Sequence, residues 1–188
     1  MSKDIKFHKS MRLPDYDYSQ PGAYFVTICT HERGCLFGNI TDGEMRLNKL
    51  GEIVQVTWFN LPDHYPNVIL DIFCIMPNHV HAIIVLHENV PAVGVGLKPT
   101  PTKFESDLHD NFSSHVKMKR HSLSEIVRAF KTFSARQMNK CRNSPGTPVW
   151  QRNYYEHIIR NEKEYERISR YIENNPLNWT LDEEYVGE

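Results

Sequence analysis

The chain has 188 residues, of which 40% are apolar and 24% are charged, a composition typical of a globular protein with its own core. No segment approaches the roughly 18 uncharged apolar residues that a membrane span needs, and the N-terminal residues lack the apolar stretch of a secretion signal, so we expect a cytoplasmic location and no membrane partner. The formal net charge of -1 does not indicate a nucleic-acid binder. The four cysteines are scattered and form no CxxC pair, which argues against a disulfide framework or a zinc knuckle.

The first half of the chain predicts three strands and one helix. Residues 23–30, AYFVTICT, alternate and are rich in β-branched and aromatic residues, which favours a strand. Residues 47–61 carry apolar side chains at helical spacing, and the Leu61-Pro62 step ends that helix. Two further strands are predicted at 68–76 and 79–86, close enough in sequence to form a hairpin.

The second half begins with an irregular segment and then predicts a helix, a strand and a helix. Residues 87–120 contain prolines, glycines and serines without any period, which indicates a long flexible loop. Ser122 followed by Glu125 is a capping-box pattern that opens a helix over 122–140. A strand is predicted over 149–159, and a charged, amphipathic helix over 161–175.

The order of these elements is β-α-β-β-α-β-α. The first six match the ferredoxin-like βαββαβ pattern, in which an antiparallel four-stranded sheet carries two helices on one face. We therefore predict an α+β fold of this type, with the last helix as an addition. Residues 1–188 are expected to form a single domain, with the loop at about 87–120 inside it.

Two histidines interrupt the third predicted strand, which otherwise reads as buried. Residues two apart on a strand point to the same face, so His79 and His81 present their imidazoles side by side while Val80 faces the other way. Imidazole is the commonest metal ligand in proteins, and two of them can hold one divalent ion if a third ligand comes from elsewhere. Taken alone, the pattern is a weak signal and better fits hydrogen-bonded or exposed histidines at the start of a strand.

The last predicted helix offers a partner for the histidine pair. Tyr171 and Asn175 are four residues apart and therefore lie on one helical face. The Asn175 carbonyl oxygen suits Mg²⁺ or Mn²⁺, and a phenol beside a metal-bound phosphate becomes a usable nucleophile. The alternative is that Tyr171 belongs to the core and that Asn175 only ends the helix before Pro176.

Positive charge is concentrated in the middle of the chain. Between Lys117 and Arg142 there are eight Lys or Arg residues and one acidic residue. A locally basic face can bind phosphate although the total charge is near zero, but a solvated helix face explains the same pattern. The predicted phosphate contacts are Arg128, Lys131, Arg152 and Arg160.

The histidine pair and the C-terminal motif together resemble a known family. HVH at 79–81, followed by VWQRNYYEHIIRNEKEYERISRYIENNP at 149–176, is similar to the single-tyrosine HUH transposases, where HUH denotes His, a hydrophobic residue and His. The combination of WQ, YxEHxIRN and YIxxNP is most similar to the REP-associated tyrosine transposase branch. The resemblance covers about residues 23–178 except the long loop, and it leaves out the acidic C-terminal tail.

This resemblance implies a metal-dependent DNA strand transferase. His79 and His81 would bind the metal, Asn175 would complete the site, and Tyr171 would be the nucleophile. Many relatives outside this branch carry Gln, which is one methylene longer, at the Asn175 position. The expected substrate is single-stranded or hairpin DNA. Attack by the tyrosine would leave a 5′-phosphotyrosine link and a free 3′-OH, a step that needs Mg²⁺ or Mn²⁺ but no nucleotide. The chain could act as a monomer or a homodimer.

Other interpretations compete with this one. Tyr155 could lie near the site, whereas Tyr165 is six residues before Tyr171 and cannot face the same metal. His157 and Arg160, in the EHIIRN motif, fit a packing role as well as a catalytic one. The fold is also that of RNA-recognition modules, which would carry aromatic residues where the histidines stand. A domesticated hairpin-binding relative without transposition is the remaining alternative.

Overall fold

A computed structural model describes residues 16–88 and 120–185. Its strands are β1 Gly22–Cys29, β2 Gly38–Thr41, β3 Glu44–Leu47, β4 Val68–Ile75, β5 His79–Leu86 and β6 Tyr155–Ile159. Its α-helices are α1 Lys49–Phe59, α2 Leu61–His64, α3 Leu123–Cys141 and α4 Glu162–Glu173, and two 3₁₀ helices span His31–Arg33 and Pro176–Leu181. The predicted flexible loop falls almost entirely on residues 89–119, outside the described residues.

Four of the strands form one antiparallel sheet in the order β4-β5-β1-β6. The central pair, β1 and β5, is in register along its whole length, from Gly22 opposite Leu86 to Cys29 opposite His79. With α1 and α3 as the two crossover helices, this is the predicted ferredoxin-like βαββαβ fold, and the α+β prediction is confirmed.

Strand alternation gives the sheet two different faces. One face carries the larger apolar core, in which Tyr24, Val26 and Ile28 of β1 pack with residues of α1 and α3. The other face carries a small cluster under the added helix α4, built from Phe25, Ile83, Ile168 and Ile172. The added helix therefore lies on the face opposite the two crossover helices.

Side-chain caps explain where the three longest helices begin. The Asn48 side chain accepts the backbone N–H groups of Leu50 and Gly51 at the start of α1. Ser122 accepts the N–H of Glu125 at the start of α3, as the sequence predicts. Asn161 accepts the N–H of Glu164 at the start of α4, so the helix that carries Tyr171 has a fixed origin.

The predicted strand over 149–159 is shorter in the structure, where β6 begins only at Tyr155. Trp150 forms a single isolated bridge with Thr30. The Lys131 ammonium explains this, because it donates to the backbone carbonyls of Gln151 and Arg152 at 2.6 and 2.9 Å and reaches that of Asn153 at 3.5 Å. These carbonyls face α3 and not a neighbouring strand.

A small hairpin and a short helix were not predicted. β2 and β3 pair as a hairpin through Asp42 and Gly43, whose φ angles of 54° and 75° are those of a type I′ turn. The predicted helix over 47–61 ends at Phe59, and a separate turn of helix, α2, follows. Among the described residues, no helix combines the length and the apolar character that a bilayer crossing requires.

Candidate metal and nucleophile site

The histidine pair lies buried at the start of β5, on the face covered by α4. His79 is 0% and His81 is 2% exposed, and their Nε2 atoms are 2.9 Å apart. Val80 between them belongs to the larger core on the other face, as strand alternation predicts. Both imidazoles therefore turn their Nε2 atoms toward the same point.

The tautomer of His79 follows from its neighbour Asn78. The Asn78 amide nitrogen donates to the carbonyls of Arg33 and Glu184 at 3.1 and 2.7 Å, so its amide oxygen faces Nδ1 of His79 at 2.8 Å. An amide oxygen only accepts, and Nδ1 of His79 must therefore carry the hydrogen. Burial, followed by the neighbouring His81, lowers the pKa of His79 well below its usual range, which leaves a free lone pair on Nε2.

His81 is held by a hydroxyl. Its Nδ1 lies 2.8 Å from Oγ1 of Thr27, the residue opposite it on β1. A hydroxyl can donate or accept, so Thr27 serves either tautomer of His81. With Nδ1 protonated, the Nε2 lone pair of His81 points into the site beside that of His79, an arrangement found around metal-binding histidines.

Tyr171 reaches this point from α4. Its hydroxyl lies 3.3 Å from Nε2 of His81 and donates a hydrogen bond of 3.2 Å to Oδ2 of Asp182. The ring packs edge-on against Phe25, with ring centroids 6.2 Å apart. Burial, with the Asp182 charge, raises the pKa of Tyr171 above its usual range, so the phenol is protonated in this arrangement.

Asn175 follows one helical turn later and is 2% exposed. Its amide nitrogen donates to Oδ2 of Asp182 at 2.7 Å, while its carbonyl oxygen is buried and has no hydrogen-bond partner among the described residues. A buried amide oxygen without a donor is costly, and a cation would satisfy it. Asn175 and Tyr171 therefore donate to the same carboxylate oxygen of Asp182.

Asp182 is a member of the site that the sequence analysis missed. Its side chain is 1% exposed, and its carboxylate oxygens lie 4.0 Å from Nε2 of His79 and 3.9 Å from Nε2 of His81. Burial alone would raise the pKa of Asp182, but the interactions with His81 and His79 and the hydrogen bond from Asn175 hold it well below its usual range. The carboxylate is therefore ionised at neutral pH.

Asp182 comes from the acidic tail, which the sequence analysis treated as lying outside the functional part. The 3₁₀ helix Pro176–Leu181 turns the chain back toward the sheet, and Arg33 fixes it there through a 2.9 Å ion pair with Glu184 and a 3.0 Å hydrogen bond to the Glu183 carbonyl. The only signal in the sequence is a carboxylate seven positions after Asn175, and an acidic run at a chain end is ordinarily solvated.

The donor set fits a divalent cation. Ligand atoms of His79, His81 and Asp182 all lie within 4.8 Å of one another, and the unpartnered oxygen of Asn175 is attached to the amide that contacts Asp182. Two imidazole nitrogens with carboxylate and amide oxygens form a mixed donor set of the kind that binds divalent metal ions. The His–His–Asp cluster is compatible with a metal site, and Asn175 is a further donor beside it.

The competing tyrosines lie elsewhere. Tyr165, on another side of α4, donates to Oδ2 of Asp71 at 2.7 Å. Tyr155 is on β6, two strands away from His81, with its ring centroid 6.0 Å from that of Phe25. Tyr171 is thus the tyrosine whose hydroxyl meets the histidine pair.

Three of the predicted phosphate contacts line one groove of about 430 Å³ between α3 and the segment before β6. Arg128 and Arg152 are exposed there. Lys131 differs, because its ammonium is engaged by backbone carbonyls and burial lowers the pKa of Lys131. Arg160 is exposed and lies away from this groove, at the start of α4, where its backbone N–H donates to Glu164 at 2.9 Å.

Comparison with known proteins defines the class. Residues 109–175, which include Tyr171 and Asn175, match the family model of IS200-like transposases. A protein of Haemophilus influenzae named "Uncharacterized protein" is 42% identical over 183 residues, which is 97% of this chain and 95% of the relative. Through residues 109–175 the chain is related to the IS200-like transposases.

A further relative and a solved structure carry the name of REP-associated tyrosine transposases. A second Haemophilus influenzae protein, named "Putative REP-associated tyrosine transposase", is 26% identical over 162 residues, 86% of this chain and 73% of the relative. The solved structure of a REP-associated tyrosine transposase bound to a REP hairpin shares the fold with a TM-score of 0.54 at 20% identity, covering 92% of this chain and 76% of that one.

Proposed function

We propose that this protein cleaves and rejoins single-stranded DNA next to a hairpin, through a 5′-phosphotyrosine link to Tyr171. The observation that carries the proposal is the 3.3 Å approach of the Tyr171 hydroxyl to Nε2 of His81 within one chain. A nucleophile beside a prospective metal ligand is the arrangement that phosphoryl transfer to a phenol requires.

His79 and His81 would hold Mg²⁺ or Mn²⁺, with Asp182 and Asn175 as the candidate oxygen ligands. The metal would supply charge neutralisation at the non-bridging oxygens of the scissile phosphate. Two hydrogen bonds support this assignment, because Asn78 and Thr27 contact the Nδ1 atoms of the histidines and keep both Nε2 atoms turned inward.

Tyr171 would attack the phosphorus in line with the leaving 3′ oxygen. The bond from Tyr171 Oη to phosphorus forms, the bond from phosphorus to O3′ breaks, and the phenolic proton passes on balance to the departing 3′-OH. The hydrogen bond to Asp182 orients the phenol before attack, and the raised pKa keeps the phenol protonated until a substrate changes its surroundings. A second 3′-OH reverses the step and joins a new strand, without any nucleotide.

The DNA would extend beyond the metal site onto basic surface. We propose Arg128 and Arg152, which are exposed in the groove beside α3, as phosphate contacts, with Lys131 adding positive charge from the groove wall. Arg160 is proposed as a separate contact near the start of α4. A hairpin as substrate is supported by the relative that was solved with a REP hairpin.

One chain holds both the nucleophile and the histidine pair, so we propose that cleavage takes place in cis, in a monomer or within each subunit of a homodimer. The alternative of a domesticated, non-catalytic hairpin-binding module makes the opposite prediction for covalent chemistry. Incubation of the protein with labelled single-stranded hairpins and Mg²⁺ or Mn²⁺ should give a DNA-linked protein band that resists denaturation. Hairpin binding without that band over a range of hairpins and both metals would support the binding module.

A further inference from the structure

We propose that two side-chain pairs, His157–Glu164 and Asp71–Tyr165, position the helix that carries Tyr171 by tying it to opposite edges of the sheet. The inference rests on the proposed function, because it assigns a role to these residues in presenting the nucleophile. It also accounts for the EHIIRN motif, whose His157 and Arg160 take no part in the metal site.

The first pair joins α4 to the edge strand β6. Nε2 of His157 lies 2.8 Å from Oε1 of Glu164, and the other carboxylate oxygen accepts the backbone N–H of Arg160 at 2.9 Å. Glu164 also donates its own N–H to the side chain of Asn161, the residue that caps α4. One carboxylate thus connects β6, the turn after it and the first turn of the tyrosine helix.

The second pair joins α4 to the opposite edge strand β4. The Tyr165 hydroxyl donates to Asp71 at 2.7 Å. Asp71 lies at a register shift, because Leu70 pairs with Ile84 and Phe73 pairs with Ala82, which leaves two residues of β4 opposite Ile83 alone. This is a β-bulge, a device that re-aims a side chain next to a functional site.

The bulge turns two consecutive residues toward α4. Leu70 and Phe73 pack into the larger core, whereas Ile72 packs under α4 and Asp71 contacts Tyr165 of that helix. Regular alternation would place only one of the two on that face. The irregularity therefore lets β4 offer a hydrogen-bond acceptor and an apolar side chain to α4 at the same level of the sheet.

The two side-chain pairs lie at opposite ends of one row of residues that runs across the sheet, perpendicular to the strands. Phe25 on β1 is paired with Ile83 on β5 and with His157 on β6, so the row runs from the bulge at Asp71 through Ile83 and Phe25 to His157. Three strand spacings separate its ends by about 14 Å, close to the 10–12 Å width of a helix with its side chains. The helix therefore rests on the apolar residues in the middle of this row, with one of the two hydrogen-bonded pairs on each side.

The position of the helix on this row sets how far Tyr171 extends toward the histidine pair. Six residues after Tyr165, at about 1.5 Å each, carry the helix roughly 9 Å along its axis, comparable with the separation of about 7 Å between the row of Phe25 and the row of His81. Ile168, Ser169 and Ile172 of α4 are buried, and Tyr165 and Tyr171 pack beside them, so the apolar contacts of this helix lie on one face. The two ties fix the rotation, and a small error there displaces the nucleophile from the phosphate.

The test uses Glu164→Ala in the full chain, with two readouts. Amide hydrogen exchange reports the position of α4 without any DNA, and we expect the α4 amides to exchange at least tenfold faster while those of β1 and β5 are unchanged. Single-turnover formation of the DNA adduct should slow at least tenfold, with the hairpin Kd within twofold of wild type. Unchanged exchange in α4 would overturn the tie, whether or not the wild-type protein forms an adduct.

Further variants separate positioning from general loss of stability. The double variant His157→Ala/Glu164→Ala should be no slower than the slower single variant, because both remove the same tie. His157→Gln, which keeps a donor, should recover part of the rate. Tyr165→Phe removes only the hydroxyl of the second tie and should slow adduct formation with a small change in Tm. Glu166→Ala is the matched control, because Glu166 is exposed and pairs with Arg170 of its own helix.

If the wild-type protein makes no adduct, the proposed function is refuted. The amide-exchange experiment would then still decide whether Glu164 holds α4 in position. Additive effects of His157→Ala and Glu164→Ala, or an equal effect of Glu166→Ala, would show that these residues act on stability in general and would overturn the positioning role.

Discussion

The Tyr171 hydroxyl lies 3.3 Å from Nε2 of His81, although the two residues are 90 positions apart in the chain. The contact depends on a strand that starts at His79 and on a helix that packs over the opposite face from the main core. Neither element alone contains a site. Only the fold brings Tyr171 and His81 together.

Replacement of Tyr171 by Phe should abolish the covalent link to labelled single-stranded hairpin DNA and leave hairpin affinity within about twofold, because the ring and its packing against Phe25 are retained. A denaturing gel measures the adduct, and peptide mapping locates the modified tyrosine. Tyr155→Phe is the comparison, since that tyrosine lies on the same face of the sheet. Loss of the adduct in Tyr155→Phe, with persistence in Tyr171→Phe, would move the nucleophile to β6.

Replacement of His79 or His81 by Ala should weaken Mn²⁺ binding by at least ~100-fold and remove metal-dependent cleavage, because each imidazole offers an inward-facing Nε2. Calorimetric titration measures the affinity. His31→Ala, at an exposed position, is the matched control. Full cleavage activity in the presence of a chelator would reject the metal.

Thr27→Val should weaken Mn²⁺ binding by about 10–100-fold, although Thr27 offers no ligand itself. The change keeps the shape of the side chain and removes the hydroxyl that lies 2.8 Å from Nδ1 of His81. Thr41→Val, on an exposed strand of the hairpin, provides the control. Equal affinities of the two variants would show that the hydroxyl does not tune the histidine.

Asp182 and Asn175 can be distinguished as oxygen ligands. Asp182→Asn should lower Mn²⁺ affinity at least ~10-fold, because it removes the negative charge nearest to both imidazoles. Glu183→Gln removes the neighbouring charge as a control. If the affinity survives Asp182→Asn but falls in Asn175→Ala, Asn175 is the ligand and Asp182 only orients it.

The tie at Glu164 should be sensitive to acid. Burial alone would raise its pKa, but the Arg160 N–H and His157 hold the pKa of Glu164 below its usual range, with Arg167 at 3.8 Å and Tyr155 nearby. A carboxyl with a lowered folded pKa stabilises the fold above its unfolded pKa, and this contribution is lost as the pH falls through the folded value. The Tm advantage of wild type over Glu164→Gln, present at pH 7, should therefore shrink below about pH 4.

Thermal melts from pH 7 to about 3.5 measure this difference, with Glu166→Gln as the exposed control on the same helix. An advantage that stays constant over that range would mean that the Glu164 carboxylate gains nothing from its partners in the fold.

The sequence predicted the order of the main elements and four residues of the candidate site. His79 and His81 could be assigned to one face because strand periodicity is short-range, and the strand over 79–86 has the observed bounds. Tyr171 and Asn175 followed from helical spacing and from the resemblance to the family. Each of these inferences depends on residues close together in sequence.

The errors have a common physical origin in tertiary contacts. Residues 149–154 have a strand-like composition, but the Lys131 ammonium, twenty positions earlier, engages their carbonyls. Asp182 enters the site because Arg33, at the other end of the chain, holds the tail. The β2–β3 hairpin did carry a local signal, the Asp42-Gly43 turn, but its strands are four residues long and largely polar.

The bulge in β4 has a consequence for how this strand can change in length. Deletion of Asp71 would restore uninterrupted pairing between β4 and β5, and a regular ladder is the more stable arrangement for a sheet. The same deletion would remove the acceptor for Tyr165. The protein with the shortened strand should therefore melt at a higher temperature and turn over its substrate more slowly, as expected where an irregular backbone is kept for activity.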